Sequence, residues 1–111
     1  REIGDFGEEV TCKYLEENGY RILARNYLKP FGEIDIIAIK GEVISFVEVK
    51  TRKSDDFAYA AESVDFYKQQ RIKRASQAYL MEKKLTDFFI SFDISEVYMD
   101  TRKINYIENA F

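Results

Sequence analysis

Two neighbouring apolar segments constrain the fold of this chain more than any other feature. Residues 33–39 and 43–50 are rich in isoleucine and valine, and Lys40-Gly41 between them is typical of a tight hairpin turn. The segment over residues 34–39 is apolar on both faces, which is typical of a strand in a sheet covered on both sides. A helix packed on each face would supply that cover, so these segments predict a layered α/β fold.

The remaining segments supply the helices and the other strands. Apolar residues recur at helical spacing over residues 3–18 and again over residues 63–84, and Gly19 would end the first helix. The predicted order is α-β-β-β-α-β-β, with a mixed central sheet between the helices in a single domain spanning residues 1–111. Three further strands are predicted at residues 21–27, 88–98 and 103–107.

Composition excludes several kinds of site. The 111 residues include one cysteine and no histidine. An internal disulfide, a zinc site of the usual Cys/His type and a Ser-His-Asp or Cys-His arrangement are therefore excluded within this chain. The remaining carboxylates are hard oxygen ligands, which suit Mg²⁺ or Mn²⁺. Lack of disulfides predicts a reducing, cytoplasmic compartment, and no apolar run approaches the roughly 20 residues needed to cross a bilayer.

Three charged residues interrupt the two apolar strands: Asp35, Glu48 and Lys50. With a turn at Lys40-Gly41, Asp35 would face Phe46, and Glu48 would lie diagonally on the same face at roughly 7–8 Å. Lys50 would share that face because strand side chains alternate. A divalent cation between the carboxylates would offset the cost of burying them and would activate water against a phosphate. In the alternative, Glu48 and Lys50 form a salt bridge at a strand end and Asp35 is solvated.

The first helix offers one further candidate, Glu8. Gly4, Gly7 and Thr11 beside it are small residues that would permit close approach to the sheet. Glu8 is then either an additional metal ligand or an ordinary exposed helix carboxylate, and the residues alone favour the exposed carboxylate.

The second helix carries a local excess of positive charge, although the net charge of the chain is −3. Lys68 and Gln69 project toward the sheet with the apolar side of the helix, whereas Arg71 and Arg74 point outward. Arginines in that position either contact phosphates or form a solvated helix face. An exposed tyrosine could also stack on a base.

Four segments carry a resemblance to a known family: GDFGE at residues 4–8, GEID at 32–35, FVEVKTR at 46–52 and KQ at 68–69. Together with similarity over nearly the whole chain, they resemble the YraN-like family of predicted endonucleases. That family lies in the PD-(D/E)XK superfamily, close to Holliday-junction resolvase-like proteins.

The resemblance implies a restriction-endonuclease-like fold, three layers in the order α/β/α. It also implies that Asp35 and Glu48 bind the metal and that Lys50 is the catalytic lysine. Glu8 would assist the metal site and Gln69 would support it from the second helix. The superfamily cleaves phosphodiester bonds, usually in DNA and with Mg²⁺.

Branched or repair-intermediate DNA is the substrate that the resemblance suggests, and a homodimer would suit symmetric cleavage of a four-way junction. The sequence departs from the pattern of the resembled family at two positions, Ala58 and Ser91. Both departures are expected to affect the shape of a loop and the grip on the substrate. Two other hypotheses remain open: a nucleic-acid-binding or repair-partner-binding domain with a vestigial site, and a structural adapter. The predicted contacts to nucleic acid are Arg52, Lys68, Arg71 and Arg74.

Overall fold

A computed structural model describes residues 2–53 and 64–111, which form two helices and five strands. The observed order confirms the predicted α-β-β-β-α-β-β arrangement. The predicted helix start at residue 63 and the position of Ala58 lie outside the described residues. The elements are α1 (Glu2–Glu17), β1 (Arg21–Lys29), β2 (Gly32–Lys40), β3 (Val43–Arg52), α2 (Phe66–Lys83), β4 (Phe89–Tyr98) and β5 (Ile104–Ile107).

The five strands form one mixed sheet in the spatial order β1-β2-β3-β4-β5. Strands β1, β2 and β3 are antiparallel neighbours, β3 and β4 are parallel, and β5 returns antiparallel to β4. Parallel neighbours require a long crossover, and α2 lies within the one between β3 and β4. Neither described helix is both long enough and apolar enough to span a bilayer.

The turn between β2 and β3 lies one residue later than the sequence predicted. Lys40 pairs with Val43, so the two turn residues are Gly41 and Glu42. Gly41 has a φ of 59°, a conformation that glycine adopts without strain and that two-residue hairpin turns require at this position. The hairpin therefore turns at a glycine as expected, but the register of β2 with β3 differs from the predicted one.

The observed register gives Asp35 a different partner on β3. The predicted partner, Phe46, pairs with Ile37 instead. Asp35, two residues earlier on β2, therefore lies level with Glu48 rather than diagonal to it. Because the register differs by two residues and side chains alternate along a strand, both carboxylates remain on the predicted face.

Each face of the sheet is covered by one helix, as predicted for strands that are apolar on both sides. Asp65 caps the start of α2 by accepting a hydrogen bond from the backbone N–H of Lys68. The core under α1 contains Cys12, Leu15, Ile36, Ala38 and Val47. The larger core under α2 contains Ile34, Ile37, Ile44, Phe46, Val64, Ile72, Ala75, Tyr79 and Ile94.

A polar network is buried in β4 and its neighbours. The Asp93 side chain is fully buried. It accepts hydrogen bonds from the Ser91 hydroxyl at 2.5 Å, the Tyr106 hydroxyl at 2.6 Å and the backbone N–H of Asn109 at 3.0 Å. Burial and the Asp93 carboxylate raise the pKa of the Tyr106 phenol above its usual range. The expectation that Ser91 sets the shape of a loop is wrong, because Ser91 is a buried residue of β4 in this network. Its expected effect on the grip on substrate stays a prediction.

Candidate metal centre

A cavity of about 470 Å³ opens beside the pair of carboxylates on β2 and β3. It is bounded by residues from β2, β3, α1 and α2, so both helices contribute to it. Five of the predicted site residues line it. The lining residues are Glu8, Glu33, Asp35, Glu48, Val49, Lys68, Arg71 and Ile72.

Asp35 and Glu48 form a hydrogen-bonded acid pair at the base of this cavity. Their register on adjacent strands brings the two carboxyl groups together, and the backbone N–H of Val49 donates to Asp35 Oδ2 at 2.8 Å. That bond fixes the Asp35 side chain toward β3. No sequence pattern could have identified this donor, because every residue except proline offers the same backbone group.

The pKa values of the two acids are shifted in opposite directions. Burial is the main cause that raises the pKa of Asp35 from 3.8 to about 8, and the hydrogen bond and negative charge of Glu48 raise it further. Burial alone would also raise the pKa of Glu48, but the hydrogen bond from Asp35 and the neighbouring lysines lower it below its ordinary value. Near neutral pH, Asp35 is therefore protonated and Glu48 is ionised.

Two lysines neutralise the charge on Glu48. Glu48 Oε2 lies 2.5 Å from Lys68 Nζ and 3.9 Å from Lys50 Nζ. The pKa of Lys50 is lowered by burial and by the nearby Lys68, whereas the contact with Glu48 raises the pKa of Lys68 despite burial. Of the alternative, the Glu48–Lys50 salt bridge is present, with Lys68 as the nearer cation. The solvated Asp35 is wrong, because Asp35 is half-buried and accepts a hydrogen bond from the Val49 N–H.

Glu8 is buried, and only 2% of it is exposed to solvent. The expectation of an ordinary exposed helix carboxylate is therefore wrong. The physical reason is the close approach of α1 to β3 at Gly7, where a Cβ atom would clash with the Thr51 hydroxyl. Glu8 Oε1 lies 3.8 Å from an Arg25 guanidinium nitrogen, which places a positive charge beside the buried carboxylate.

The residues in the cavity fit a small hard cation held mainly by two carboxylates. Asp35 and Glu48 supply adjacent oxygen donors, and Mg²⁺ often takes one or two protein carboxylates and keeps several waters. Within residues 2–53 and 64–111, no three acidic or cysteine side chains converge as a ligand set for one ion. Glu8 thus lines the same cavity but is not brought into a common ligand set with the pair.

Three other predicted site residues do not line the cavity. Gln69 donates from Nε2 to the carbonyl oxygen of Val64 at 3.1 Å and does not line the cavity. Arg52 forms an ion pair with the buried Glu96 at 3.4 Å, also away from the cavity wall. Arg74 is exposed on α2. Roles for these three side chains stay predictions from the sequence.

Known proteins match this chain along its full length. The profile described as "Uncharacterised protein family UPF0102" matches residues 7–97. The "UPF0102 protein" of Alkaliphilus metalliredigens is 45% identical over all of this chain and 98% of its own length. The proteins of the same name from Clostridium perfringens strain SM101 and Dictyoglomus turgidum are 46% and 44% identical, again over the whole of this chain. On this evidence the chain belongs to the uncharacterised protein family UPF0102.

Proposed function

We propose that this protein is a metal-dependent nuclease that hydrolyses phosphodiester bonds in DNA, with branched or repair-intermediate DNA as its substrate. One observation carries the proposal: two carboxylates on adjacent strands, the half-buried Asp35 and the buried Glu48, line a cavity that also presents Lys68 and Arg71. Buried acid pairs with strongly shifted pKa values cluster at functional sites. A pair of acids with a purely structural role would not require an open cavity lined by cationic side chains.

Asp35 and Glu48 would hold the cation, Mg²⁺ or Mn²⁺, after Asp35 loses its proton. When bound, such an ion activates water as a nucleophile and neutralises charge on the phosphate. The Val49 N–H and the strand pairing keep both carboxylates in place, so the site is formed before substrate arrives. Glu8, buried on the same wall, would orient the site rather than ligate the ion directly.

Hydrolysis adds water to phosphorus and breaks a P–O ester bond, so the site must accept a proton and stabilise developing negative charge. Lys50 suits the first task, because burial and the nearby Lys68 lower its pKa toward the range of a base. Lys68 and Arg71 suit the second task, because both present cationic groups at the cavity wall.

A second candidate function is binding of nucleic acid without cleavage. It is favoured by the position of Lys68, whose ammonium group already neutralises Glu48 and would compete with a metal ion for the same oxygen. In that case the cationic side of α2 would still contact phosphates, and the acid pair would be vestigial.

Cleavage assays separate the two candidates. The purified chain and its Glu48→Gln variant would be incubated in Mg²⁺ or Mn²⁺ with labelled single-stranded, duplex, flap and four-way-junction DNA. We expect the parent to cleave at least one of these substrates and the variant to lose about 100-fold or more in rate, because one of two metal-binding groups is neutralised.

Glu42→Gln is the matched control, since Glu42 is an exposed acid in the hairpin turn at the other end of β3. It should cleave like the parent. Equal cleavage by the parent and Glu48→Gln would contradict the proposed site. Salt-sensitive DNA binding with no cleavage by any variant would favour the second candidate.

A further inference from the structure

Two arginines of α2 each lie over an aromatic ring, one ring from α2 itself and one from the turn between β1 and β2. The Arg71 guanidinium lies over the Tyr67 ring at 5.9 Å from its centroid, and the Arg74 guanidinium lies over the Phe31 ring at 5.0 Å. Arg71 also lines the cavity that contains the acid pair. These four residues, Phe31, Arg74, Arg71 and Tyr67, are called the stacking strip below.

Tyr67 is the unusual member of the strip, because 70% of it is exposed to solvent. An exposed aromatic ring has lost little of its contact with water and gains most when a flat apolar surface covers it. Four other large apolar side chains among the described residues are similarly exposed, but none of them lies under a guanidinium group that lines the cavity. Those four are Leu28, Phe66, Met81 and Phe89.

The strip has the geometry for a short run of nucleotides. Tyr67 and Arg71 are four residues apart on α2, and Arg74 is three residues further, so their side chains neighbour one another along the helix. At 1.5 Å per residue the span from Tyr67 to Arg74 is about 10 Å, enough for only a few nucleotides. Proteins that bind single strands combine cationic groups for phosphates with rings on which bases stack.

We propose that the stacking strip binds unpaired nucleotides next to the bond to be cleaved, so that the preferred substrates carry a single-stranded segment at the cavity. The inference rests on the proposed nuclease function and adds the substrate class to it. In a duplex each base face is covered by its neighbours, and the Tyr67 ring would have nothing to stack on. An unpaired base exposes that face, whereas phosphate contacts from Arg71 and Arg74 are the same for either form.

The test measures binding rather than cleavage, in a chelator, so that its outcome does not depend on catalysis. Two DNAs of the same sequence would be titrated with the chain: one blunt duplex, and one with a short single-stranded overhang carrying the fluorescent base 2-aminopurine. Stacking on an aromatic ring quenches that fluorescence. The variants are Tyr67→Ala, Tyr67→Trp, which restores a ring, and Phe66→Ala.

We expect Tyr67→Ala to weaken overhang binding at least about fivefold, the low end for one base stacked on an aromatic ring, and to change blunt-duplex binding less than twofold. The quenching should disappear in Tyr67→Ala and return in Tyr67→Trp. Phe66 is the matched control, because 74% of it is exposed one residue away but it contributes no ring to the strip. Phe66→Ala should bind both DNAs like the parent.

Three results would overturn the inference: equal weakening on both DNAs by Tyr67→Ala, no weakening on either, or the same loss in Phe66→Ala. If the chain cleaves DNA but its binding of the overhang does not depend on Tyr67, the nuclease proposal stands and the proposed role of the stacking strip is wrong. A chain that cleaves nothing yet binds overhangs through Tyr67 would remove the nuclease proposal and support the strip.

Discussion

At the scale of single residues, the central feature of the cavity is the pairing of Asp35 with Glu48. Burial disfavours the ionised form of Asp35, and the adjacent carboxylate of Glu48 disfavours it further. The result is a pKa of about 8 for Asp35 against 3.8 for the same group in an unfolded chain. A site of this kind lowers stability in the absence of a cation, which is common where residues are arranged for function.

Replacing Asp35 with asparagine should stabilise the metal-free protein above neutral pH. Between about pH 4 and pH 8 the unfolded chain loses the Asp35 proton while the folded chain retains it, so the free energy of unfolding of the parent falls as pH rises. Asparagine cannot ionise, can still accept from the Val49 N–H and can donate to Glu48. We expect Asp35→Asn to unfold with about 2 kcal/mol more free energy than the parent at pH 9 and a smaller difference at pH 5, because the lowered pKa of Glu48 offsets part of the effect.

Urea denaturation in a chelator at pH 5 and pH 9 measures this difference. Asp87→Asn serves as the control, because Asp87 is exposed and its replacement removes the same charge from the surface. The proposed proton on Asp35 would be contradicted by a variant whose advantage over the parent stays constant or shrinks as pH rises.

At the scale of elements, each helix approaches the sheet closely at a glycine. A Cβ atom at Gly7 would clash with the Thr51 hydroxyl, and one at Gly32 would clash with the carbonyl oxygen of Arg71. The two obstacles differ in kind. A side-chain hydroxyl can rotate away, whereas the backbone of α2 can move only if the helix shifts from β2.

Gly32→Ala should therefore destabilise the protein more than Gly7→Ala. We expect about 2 kcal/mol for Gly32→Ala, within the range for overpacking a well-packed site, and about 1 kcal/mol or less for Gly7→Ala, where better helix propensity offsets part of the clash. Chemical denaturation of both variants at one pH provides the comparison. A Gly32→Ala protein within 0.5 kcal/mol of the parent would show that α2 does not rest on β2 as described.

The order of elements was predictable from periodicity and turn residues, but the strand register was not. Residues 33–39 and 43–50 indicated a hairpin between these strands, one residue from the observed turn, and an even number of turn residues kept Asp35 and Glu48 on one face. Either Lys40-Gly41 or Gly41-Glu42 satisfies that pattern, since both contain Gly41. Only the pairing of Lys40 with Val43 decides between them, and it brings the two carboxylates level with each other.

At the scale of the whole molecule, the contents of the site depend on contacts between distant segments. Asp35, Glu48 and Lys50 were identifiable as charges in apolar strands. The burial of Glu8 depends on how α1 docks on β3, and the contact of Lys68 with Glu48 depends on how α2 crosses the sheet. The periodicity of the sequence does not determine how either helix packs on the sheet.

The Asp93 network was not predicted for the same reason, because its hydrogen-bond donors come from β4, β5 and the segment after β5. A buried carboxylate is expected to be hydrogen-bonded, but the sequence does not say by which residues. Asp93 pairs with Val47, next to Glu48 along β3, but its side chain lies on the opposite face of the sheet from Glu48 because side chains alternate along a strand. The network therefore supports the sheet rather than the proposed chemistry.

Calorimetric titration of Mn²⁺ tests the central claim, that Asp35 and Glu48 form a divalent-cation site, most directly. We predict one ion bound per chain at pH 8.5, with affinity falling by about tenfold for each pH unit below the pKa of Asp35, since the ion must displace its proton. Binding should be lost in Glu48→Gln and retained in Glu42→Gln. Equal Mn²⁺ binding by the parent and Glu48→Gln, or no binding by the parent at any pH, would contradict the account.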